Sequence, residues 1–447
     1  MLPDGTIYSM FDSQKIKADF PVLSRKINGN DLVYLDNSAT SQKPQSVINA
    51  ITEYYTNHVA NVHRGVHTLS DESTNLFEQS KQKIAHFFGA QKHELIFVRN
   101  TTEAINGVAY GWGEQNVVAN DVIVVTTLDH HSNIVVWQEL AKRKQAQLIF
   151  VGITRAGQLD LAHLEAVLKQ FSEKIKLVAF PHVSNALGTV VPVATVVELV
   201  RRANPQIRIL VDGAQSAPHM PVNFAKLGVD FYAFSGHKLL GPMGIGGLLV
   251  REELLKTDDK VNGEAREGAL GQMRPWLFGG GMIAEVHESQ TIFHDDLSER
   301  FVAGTPDVAS AVGLAAACEY LENVGMKAVL EHDIELVNYA LQELAKVENV
   351  VIVGPNFDNT ANLNQDLHNP DRIGSVSFLY EGVHAHDVAQ VLDSQGVAVR
   401  SGHHCTMPLH TSQNWIATTR VSFQIYNSKQ DIDSLVVGLQ KVKEVLL

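Results

Sequence analysis

Seven short runs of apolar and β-branched residues recur between residues 94 and 250, separated by segments with helical periodicity. The runs are Leu95–Val98, Val122–Thr126, Leu148–Val151, Leu177–Phe180, Ile207–Val211, Phe231–Phe234 and Ile245–Val250. They are apolar on both faces, which is typical of strands covered by helices on both sides of a sheet. Between two of them, Ile134, Trp137 and Ala141 recur at helical spacing. This alternation predicts an α/β domain built on a doubly wound, mostly parallel sheet.

The pattern changes after about residue 305, where helices precede short, separated strands. The elements predicted there are helices at 309–325, 327–347 and 429–446 and strands at Val350–Val353, Ile373–Leu379, Val397–Arg400 and Arg420–Ile425. They indicate a smaller α+β domain that the N-terminal segment joins. We therefore expect a large domain over residues 36–305 and a small domain formed by residues 1–35 and 306–447.

Composition restricts the classes of function. A net charge of −13 argues against nucleic-acid binding, which needs a basic face. No apolar run approaches the length of a membrane span, and the N-terminus lacks the pattern of a signal peptide, so a cytoplasmic protein is expected. Two polar stretches, 257–271 and 356–371, are predicted to be exposed, mobile loops.

The chain has only two cysteines, which excludes a disulfide framework and paired-cysteine metal motifs, and no metal site is predicted. Cys318 lies within a helical apolar pattern and is expected to be a buried, inert thiol. Cys405 ends the polar string Arg400–Cys405, which contains a basic side chain and two imidazoles. Such surroundings favour a reactive thiolate.

Two apolar runs end in polar residues that match the requirements of one cofactor. Asp212 directly follows Ile209–Val211, and Lys238 closes the string Phe234–Lys238. A lysine that can form a Schiff base and an aspartate that can pair with a pyridinium nitrogen are the minimal equipment for pyridoxal phosphate. Because ligands bind at the carboxyl ends of such strands, the cofactor interpretation is favoured over a simple ion pair between the two residues.

The segment after Leu95–Val98 has the features of a helix N-terminus. Asn100 and Glu103 have the spacing of a capping box, and Thr101 and Thr102 add two hydroxyl groups. Free backbone N–H groups at such a position bind phosphate. The alternative is an ordinary helix cap without a ligand.

Beyond these features, a set of motifs occurs in a consistent order over nearly the whole chain. They are Tyr34–Thr40, Val62–Ser70, Thr101–Asn106, Asp129–Val135, His182–Thr189, Ala303–Pro306, Arg400–Cys405 and Arg420–Ser422, together with the strings around Asp212 and Lys238. In these motifs the chain resembles the pyridoxal-phosphate-dependent cysteine desulfurases of the class V aminotransferase family, specifically the SufS type (group II). The resemblance implies the fold type I architecture of pyridoxal-phosphate-dependent transferases.

The resemblance implies a role for each matching residue around the cofactor. Lys238 would hold the cofactor covalently and later carry the Cα proton, and Asp212 would keep the pyridine nitrogen protonated. His130 would stack on the ring and exchange protons, although a lone histidine near a strand end is often only a core residue. Gln215 would bind the phenolic oxygen. The residues implied in phosphate binding are Thr101, Thr102, Ser235 and His237, with Thr305 from a second subunit.

Substrate binding and sulfur transfer are implied in the same way. Arg420 would bind the carboxylate of cysteine, with Asn185 nearby and Arg400 assisting; the alternative for either arginine is a surface ion pair. Cys405 would attack the sulfur of the bound cysteine and retain it as a persulfide while alanine leaves. The resemblance further implies supply of sulfur for iron–sulfur cluster assembly. Selenocysteine lyase, another class V lyase or transaminase, and an inactive binding scaffold are the alternatives.

The resemblance also implies partners. A homodimer is expected, with a SufU-like or SufE-like protein as the sulfur acceptor. His386 matches a histidine implicated in exchange with a zinc-bearing SufU-type acceptor; an ordinary solvent-facing histidine at a helix start is an equal alternative. The chain departs from the family where Asn100 and Val302 replace a usual Gly and Glu, and where its glycine run, 278–282, is shifted. These departures concern the subunit interface and the entry channel.

Overall fold

A computed structural model gives the fold. The residues that the structure describes are 11–63, 65–256, 260–261, 264–265, 272–355 and 371–447. The predicted loop at 257–271 lies outside them except for the paired strands Lys260–Val261 and Glu264–Ala265, and the loop at 356–371 lies outside them except for Asp371. Within the described residues, no helix is long and apolar enough to cross a membrane.

A seven-stranded sheet forms the centre of the large domain. Across the sheet the strands are Leu95–Val98, Gly246–Val250, Phe231–Ser235, Arg208–Asp212, Ile175–Pro181, Val122–Thr126 and Gln147–Val151. All seven predicted runs are therefore strands. Gly246–Val250 alone runs antiparallel to both of its neighbours. Only residues 236–245 link it to the preceding strand, which is too short for the crossover that a parallel pair needs.

Both faces of this sheet are buried, as the sequence predicted. Along Val122–Thr126, Val122 and Val124 belong to one apolar cluster, and Ile123 and Val125 belong to another on the opposite face. The alternation follows from the two-residue period of a strand. The principal helices that precede or cover the sheet are Gln45–Glu53, Thr68–Phe87, Thr101–Val108, Val135–Lys144, Leu161–Phe171 and Val193–Ala203.

The C-terminal part contains a four-stranded antiparallel sheet. Its strands, in order, are Val350–Val353, Ser375–Tyr380, Thr418–Ser422 and Arg400–Gly402. The predicted strand Arg420–Ile425 therefore begins two residues earlier, and Arg420 lies in the middle of a strand rather than at its start. The helices of this part are Val308–Val324, Met326–Leu344, Ala385–Ser394, Met407–Ser412 and Lys429–Leu446. The observed α/β architecture, with a large mostly parallel sheet and a smaller α+β part, confirms the predicted fold class.

The predicted strand Val397–Arg400 is divided between two sheets. Val397–Ala398 pairs in parallel with Val33–Tyr34, whereas Arg400–Gly402 joins the four-stranded sheet. The N-terminal segment thus lies beside the C-terminal part. The helix Val308–Val324, by contrast, packs on the large-domain helices Gln45–Glu53 and Thr68–Phe87, so the domain boundary at residue 305 stays a prediction.

Candidate active site

A cavity of about 240 Å³ opens at the carboxyl ends of the central strands. Most of its walls come from elements before residue 305, and Arg400, His404 and Arg420 come from the C-terminal part. The predicted site residues that line it are Thr101, Thr102, His130, Asn185, Asp212, Gln215, Ser235, His237, Lys238, Arg400 and Arg420. Cys405 and Thr305 do not line it.

Asp212 is the last residue of its strand and is buried at the cavity wall. Its Oδ1 atom accepts a hydrogen bond from the N–H of Ala214 at 2.9 Å. Burial raises the pKa of this carboxyl group, an effect that the Ala214 bond and the charge of Lys238 oppose. Asp212 and Lys238 influence each other through space without forming a direct ion pair. A buried carboxylate without a cationic contact fits a protonated ring nitrogen in the cavity.

Lys238 closes the short helical turn Gly236–Lys238, which follows the strand Phe231–Ser235. Burial lowers the pKa of its ammonium group to about 8, although the charge of Asp212 acts in the opposite direction. About a tenth of the Lys238 population is therefore a neutral, nucleophilic amine at pH 7, far more than for an ordinary lysine. This is the form that captures an aldehyde.

The peptide that leads into Lys238 is held by an N-terminal segment that the sequence analysis did not assign to the site. The carbonyl oxygen of His237 accepts hydrogen bonds from Thr40 Oγ1 at 3.0 Å, from the Ser41 N–H at 3.1 Å and from Lys43 Nζ at 2.9 Å. These donors restrict the backbone beside the reactive amine. The motif Tyr34–Thr40 was visible in the sequence, but nothing in it indicated this contact.

The opposite end of the cavity contains the start of the helix Thr101–Val108. Asn100 caps this helix by accepting the Glu103 N–H at 3.0 Å, whereas the Glu103 carboxylate accepts from the Arg99 N–H, so the reciprocal capping box is not formed. Thr101 and Ser235 hydroxyl groups lie 2.7 Å apart. The helix start and these hydroxyls fit a phosphate group. The capping role also accounts for an asparagine where the family usually has glycine.

His130 and Gln215 are two further cavity residues with fixed side chains. His130 Nδ1 lies 2.8 Å from Ser132 Oγ, and burial, together with the charge of Lys238, lowers the pKa of the ring to about 3. The imidazole is therefore neutral at physiological pH. Gln215 Nε2 donates to the Ser38 carbonyl oxygen at 2.9 Å. Because His130 lines the cavity, it differs from an ordinary core histidine.

Arg420 is 1% exposed, so the alternative of a surface ion pair is wrong for this residue. Its Nη2 atom donates to Asp36 Oδ1 at 2.9 Å and its Nη1 atom to the Asn185 carbonyl oxygen at 2.8 Å. Burial lowers the pKa of the guanidinium to about 10, which leaves it charged. Its buried Nε has no hydrogen-bond partner among the described residues. The site fits a carboxylate ligand, and Asp36 is a site residue that the sequence analysis missed.

Cys405 lies at the edge of this site on a backbone of unusual conformation. The thiol residue is half-buried, and a negative charge on it would raise the pKa of both Lys238 and Arg420. His404 and Cys405 have φ angles of 51° and 58°, and Gly402 has a φ of 117°. Positive φ is costly for residues other than glycine, so tertiary contacts must hold this loop.

Three other predicted groups lie outside the cavity. Thr305 is exposed, and its hydroxyl group lies 3.4 Å from Asn61 Oδ1. His386 is exposed in the first turn of Ala385–Ser394, and its Nδ1 lies 2.8 Å from Ser401 Oγ, on the strand that leads to Cys405. Cys318 is fully buried, which raises its pKa well above that of an ordinary thiol. The roles of Thr305 and His386 stay predictions.

The cavity therefore fits pyridoxal phosphate by its chemistry. A buried carboxylate, a partly neutral lysine and a hydroxyl-rich helix start supply a partner for the ring nitrogen, the aldehyde and the phosphate, respectively. The free donor of Arg420 remains for an amino-acid carboxylate.

Comparisons with known proteins agree. The family model for class V aminotransferases matches residues 33–435. A probable cysteine desulfurase of Halalkalibacterium halodurans is 43% identical over 97% of this chain and 98% of its own. A cysteine desulfurase of Haloferax volcanii is 39% identical over 97% of each chain. The apo structure of cysteine desulfurase from Thermococcus onnurineus superposes with a TM-score of 0.85 at 38% identity, covering 98% of this chain and 100% of the other.

These matches support the cysteine desulfurase interpretation. They confirm the resemblance to the cysteine desulfurases of the class V aminotransferase family, and with it the pyridoxal phosphate cofactor. The chain belongs to the class V aminotransferase family and, within it, to the cysteine desulfurases.

Proposed function

We propose that this cysteine desulfurase is of the SufS type, converts L-cysteine to L-alanine, and holds the released sulfur as a persulfide on Cys405 for iron–sulfur cluster assembly. One observation carries the proposal. Lys238 and Asp212 share a single cavity with Arg420, and Cys405 lies close enough to act electrostatically on both Lys238 and Arg420. A cofactor anchor, a substrate clamp and a sulfur acceptor thus meet at one place.

Besides Lys238, five residues would hold the cofactor in this arrangement. Asp212 would keep a proton on the ring nitrogen, Gln215 would bind the phenolic oxygen, and the phosphate would lie against Thr102, Ser235 and the turn at His237. Bound pyridoxal phosphate supplies an electron sink that makes the Cα proton of cysteine acidic. His130, held neutral by burial, would lie against the ring without adding charge.

Arg420 orients the substrate. Two of its nitrogens are fixed by Asp36 and by the Asn185 carbonyl, so the guanidinium keeps one orientation while Nε remains available. Arg400 contributes a second positive charge at the same cavity wall. The carboxylate of cysteine would bind the free Nε of Arg420, and Lys238 would receive the Cα proton.

The sulfur transfer is balanced without an external oxidant. The Cys405 thiolate forms a bond with the sulfur of cysteine, and the bond between that sulfur and Cβ breaks. The electron pair of the broken bond is protonated on carbon, so that cysteine and a protein thiol give alanine and a protein persulfide.

The test is incubation of the holoprotein with L-cysteine, measuring alanine and protein-bound persulfide together by mass spectrometry. We expect one persulfide per chain, on the peptide that contains Cys405, and loss of both products in Lys238→Ala. Cys405→Ser is expected to bind cysteine but form no persulfide, whereas the matched variant Cys318→Ser retains both products. A persulfide on Cys318, or normal turnover of Cys405→Ser, would refute the assignment.

The remaining proposals concern assembly and location. We propose a homodimer in which Thr305 completes the phosphate site of the other subunit, because in its own chain Thr305 lies outside the cavity.

The division into residues 36–305 and 1–35 with 306–447 is supported by the origin of the site, since Lys238 precedes residue 305 and Arg420 follows it. We propose a cytoplasmic location, because a thiol that must remain reduced to react is kept so in a reducing compartment. His386, beside the strand to Cys405, supports a SufU-like acceptor.

A further inference from the structure

Residues 402–407, here called the thiol loop, are bound to the large domain by three hydrogen bonds. Asn185 Nδ2 donates to the His404 carbonyl oxygen at 2.7 Å, and the His131 N–H donates to the Cys405 carbonyl oxygen at 2.8 Å. The third bond runs in the opposite direction, from the Met407 N–H to His131 Nε2 at 3.0 Å. The three bonds bind the backbone before, at and after the thiol residue. Two of them belong to His131.

The three bonds hold the thiol loop in an unfavourable backbone conformation. His404 and Cys405 both have left-handed backbones, which are unfavourable for residues other than glycine in the absence of compensating contacts. Without the three bonds to the large domain, the loop would relax to a more favourable backbone conformation. The His131 side chain is the contact on the far side of the thiol, since Met407 begins the helix Met407–Ser412.

The ring of His131 is suited to accept this bond. Because Nε2 accepts from a backbone N–H, any ring proton of the neutral imidazole resides on Nδ1. Burial and the neighbouring His403 lower the pKa of His131, which favours the neutral form. His131 does not line the cofactor cavity; it faces an adjoining pocket of about 400 Å³. The adjacent His130 lines both the cavity and this pocket.

We propose that His131 is a positioning residue for the Cys405 thiol: its imidazole anchors the Met407 end of the thiol loop to the large domain and so holds the thiol at the cavity edge. The proposal rests on the proposed role of Cys405 as sulfur acceptor. Losing the anchor raises the exposure of the thiol and lowers the fraction of time it spends facing the substrate. It leaves the cofactor and the carboxylate clamp in place.

The test compares His131→Ala with His131→Gln in the holoenzyme. Glutamine can place its carbonyl oxygen near the position of Nε2 and restore the acceptor. We expect His131→Ala to increase the rate of Cys405 alkylation by iodoacetamide, and to slow single-turnover persulfide formation, each by about threefold to tenfold, the range for one hydrogen bond. The KM for cysteine and the cofactor absorbance stay at wild-type values, and His131→Gln recovers at least half of both effects.

A second variant removes the donor of the bond between the Met407 N–H and His131 Nε2. Met407→Pro removes the N–H donor at the first helical position, where proline is tolerated, and leaves every histidine intact. It is expected to reproduce the alkylation increase of His131→Ala. His163→Ala is the matched control, because His163 Nδ1 also accepts a backbone N–H, from Gly152 at 3.2 Å, but contacts no part of the thiol loop.

The outcomes separate this inference from the proposed function. Unchanged Cys405 alkylation in both His131→Ala and Met407→Pro would overturn the anchor, as would equal behaviour of the Ala and Gln variants. If the wild-type protein forms no persulfide on Cys405, the proposed function fails, yet the alkylation rates still decide whether His131 holds the loop.

Discussion

Arg420 and Asp36 form an ion pair at 2.9 Å in which the guanidinium is buried and the carboxylate is partly exposed. The pair joins the middle of a C-terminal strand to the segment that follows Val33–Tyr34. A buried cation without a partner is costly, so Asp36 makes a charged Arg420 possible at this depth. The carboxylate thereby prepares the clamp that would receive the substrate.

Replacing Asp36 by alanine is expected to impair substrate binding more than chemistry. Without its partner the guanidinium can reorient, and we expect the KM for cysteine to rise by about tenfold while kcat changes less. Removing one partner of a buried ion pair also lowers the free energy of unfolding by about 3 kcal/mol. The loss is smaller here because solvent screens the partly exposed carboxylate. Steady-state kinetics and urea unfolding measure the two effects.

The neutral variant Asp36→Asn separates charge from hydrogen bonding, because the amide oxygen still accepts from Nη2. It should lie between wild type and Asp36→Ala in KM. The exposed pair between Lys26 and Asp31, also 2.9 Å long, provides the control, and Asp31→Ala should leave both measurements unchanged. A wild-type KM for Asp36→Ala would show that Arg420 needs no such support.

The lowered pKa of Lys238 predicts how the apoprotein captures its cofactor. With a pKa of about 8 instead of 10.5, the neutral amine increases as pH rises through 8 and is nearly complete about one unit above. The rate of covalent pyridoxal phosphate capture should follow this curve and level off near pH 9. Stopped-flow absorbance after mixing measures it, with Lys238→Ala as the blank. A rate that still climbs steeply at pH 10 would contradict the lowered pKa.

Much of this site was readable from the sequence because strand ends are local features. Asp212 and Lys238 each follow an apolar run, and the sheet brings the ends of such runs to one edge. The helix cap at Asn100 was likewise visible from its spacing with Glu103, although the carboxylate of Glu103 turned out to bind the N–H of Arg99.

Contacts between distant segments were not readable. The Asp36–Arg420 pair spans 384 positions, and the bond from Asn185 to His404 spans 219, so no periodicity or spacing indicates either. The antiparallel course of Gly246–Val250 was missed for a different reason, because an apolar run carries no sign of its direction. A short link such as 236–245 was the available signal.

The two cysteines should differ sharply in reactivity. Cys318 is fully buried, which raises its pKa and removes the thiolate, whereas Cys405 is partly exposed. Because alkylation requires an accessible thiolate, iodoacetamide at pH 7.5 should label Cys405 alone in the native protein and both residues in 6 M guanidinium, roughly the concentration that unfolds hyperstable domains. Peptide mass spectrometry reports each site. Labelling of Cys318 at the native Cys405 rate would contradict its burial.

His386 provides a test of the acceptor. Its ring lies 2.8 Å from Ser401 on the strand that leads to Cys405, and it is exposed, so an incoming protein can contact it. If a zinc-bearing SufU-like protein accepts the sulfur, His386→Ala should reduce the stimulation of alanine formation by that acceptor by at least about tenfold, the loss typical of a removed metal contact.

Turnover with dithiothreitol as the acceptor should change little in the same variant, because His386 lies outside the cofactor cavity. His287→Ala is the matched control, since His287 is an exposed histidine paired only with Glu285 among the described residues. Stimulation that is equal in wild type and His386→Ala would remove His386 from the acceptor surface. A SufE-like acceptor, which needs no histidine to exchange with zinc, would then be the better candidate.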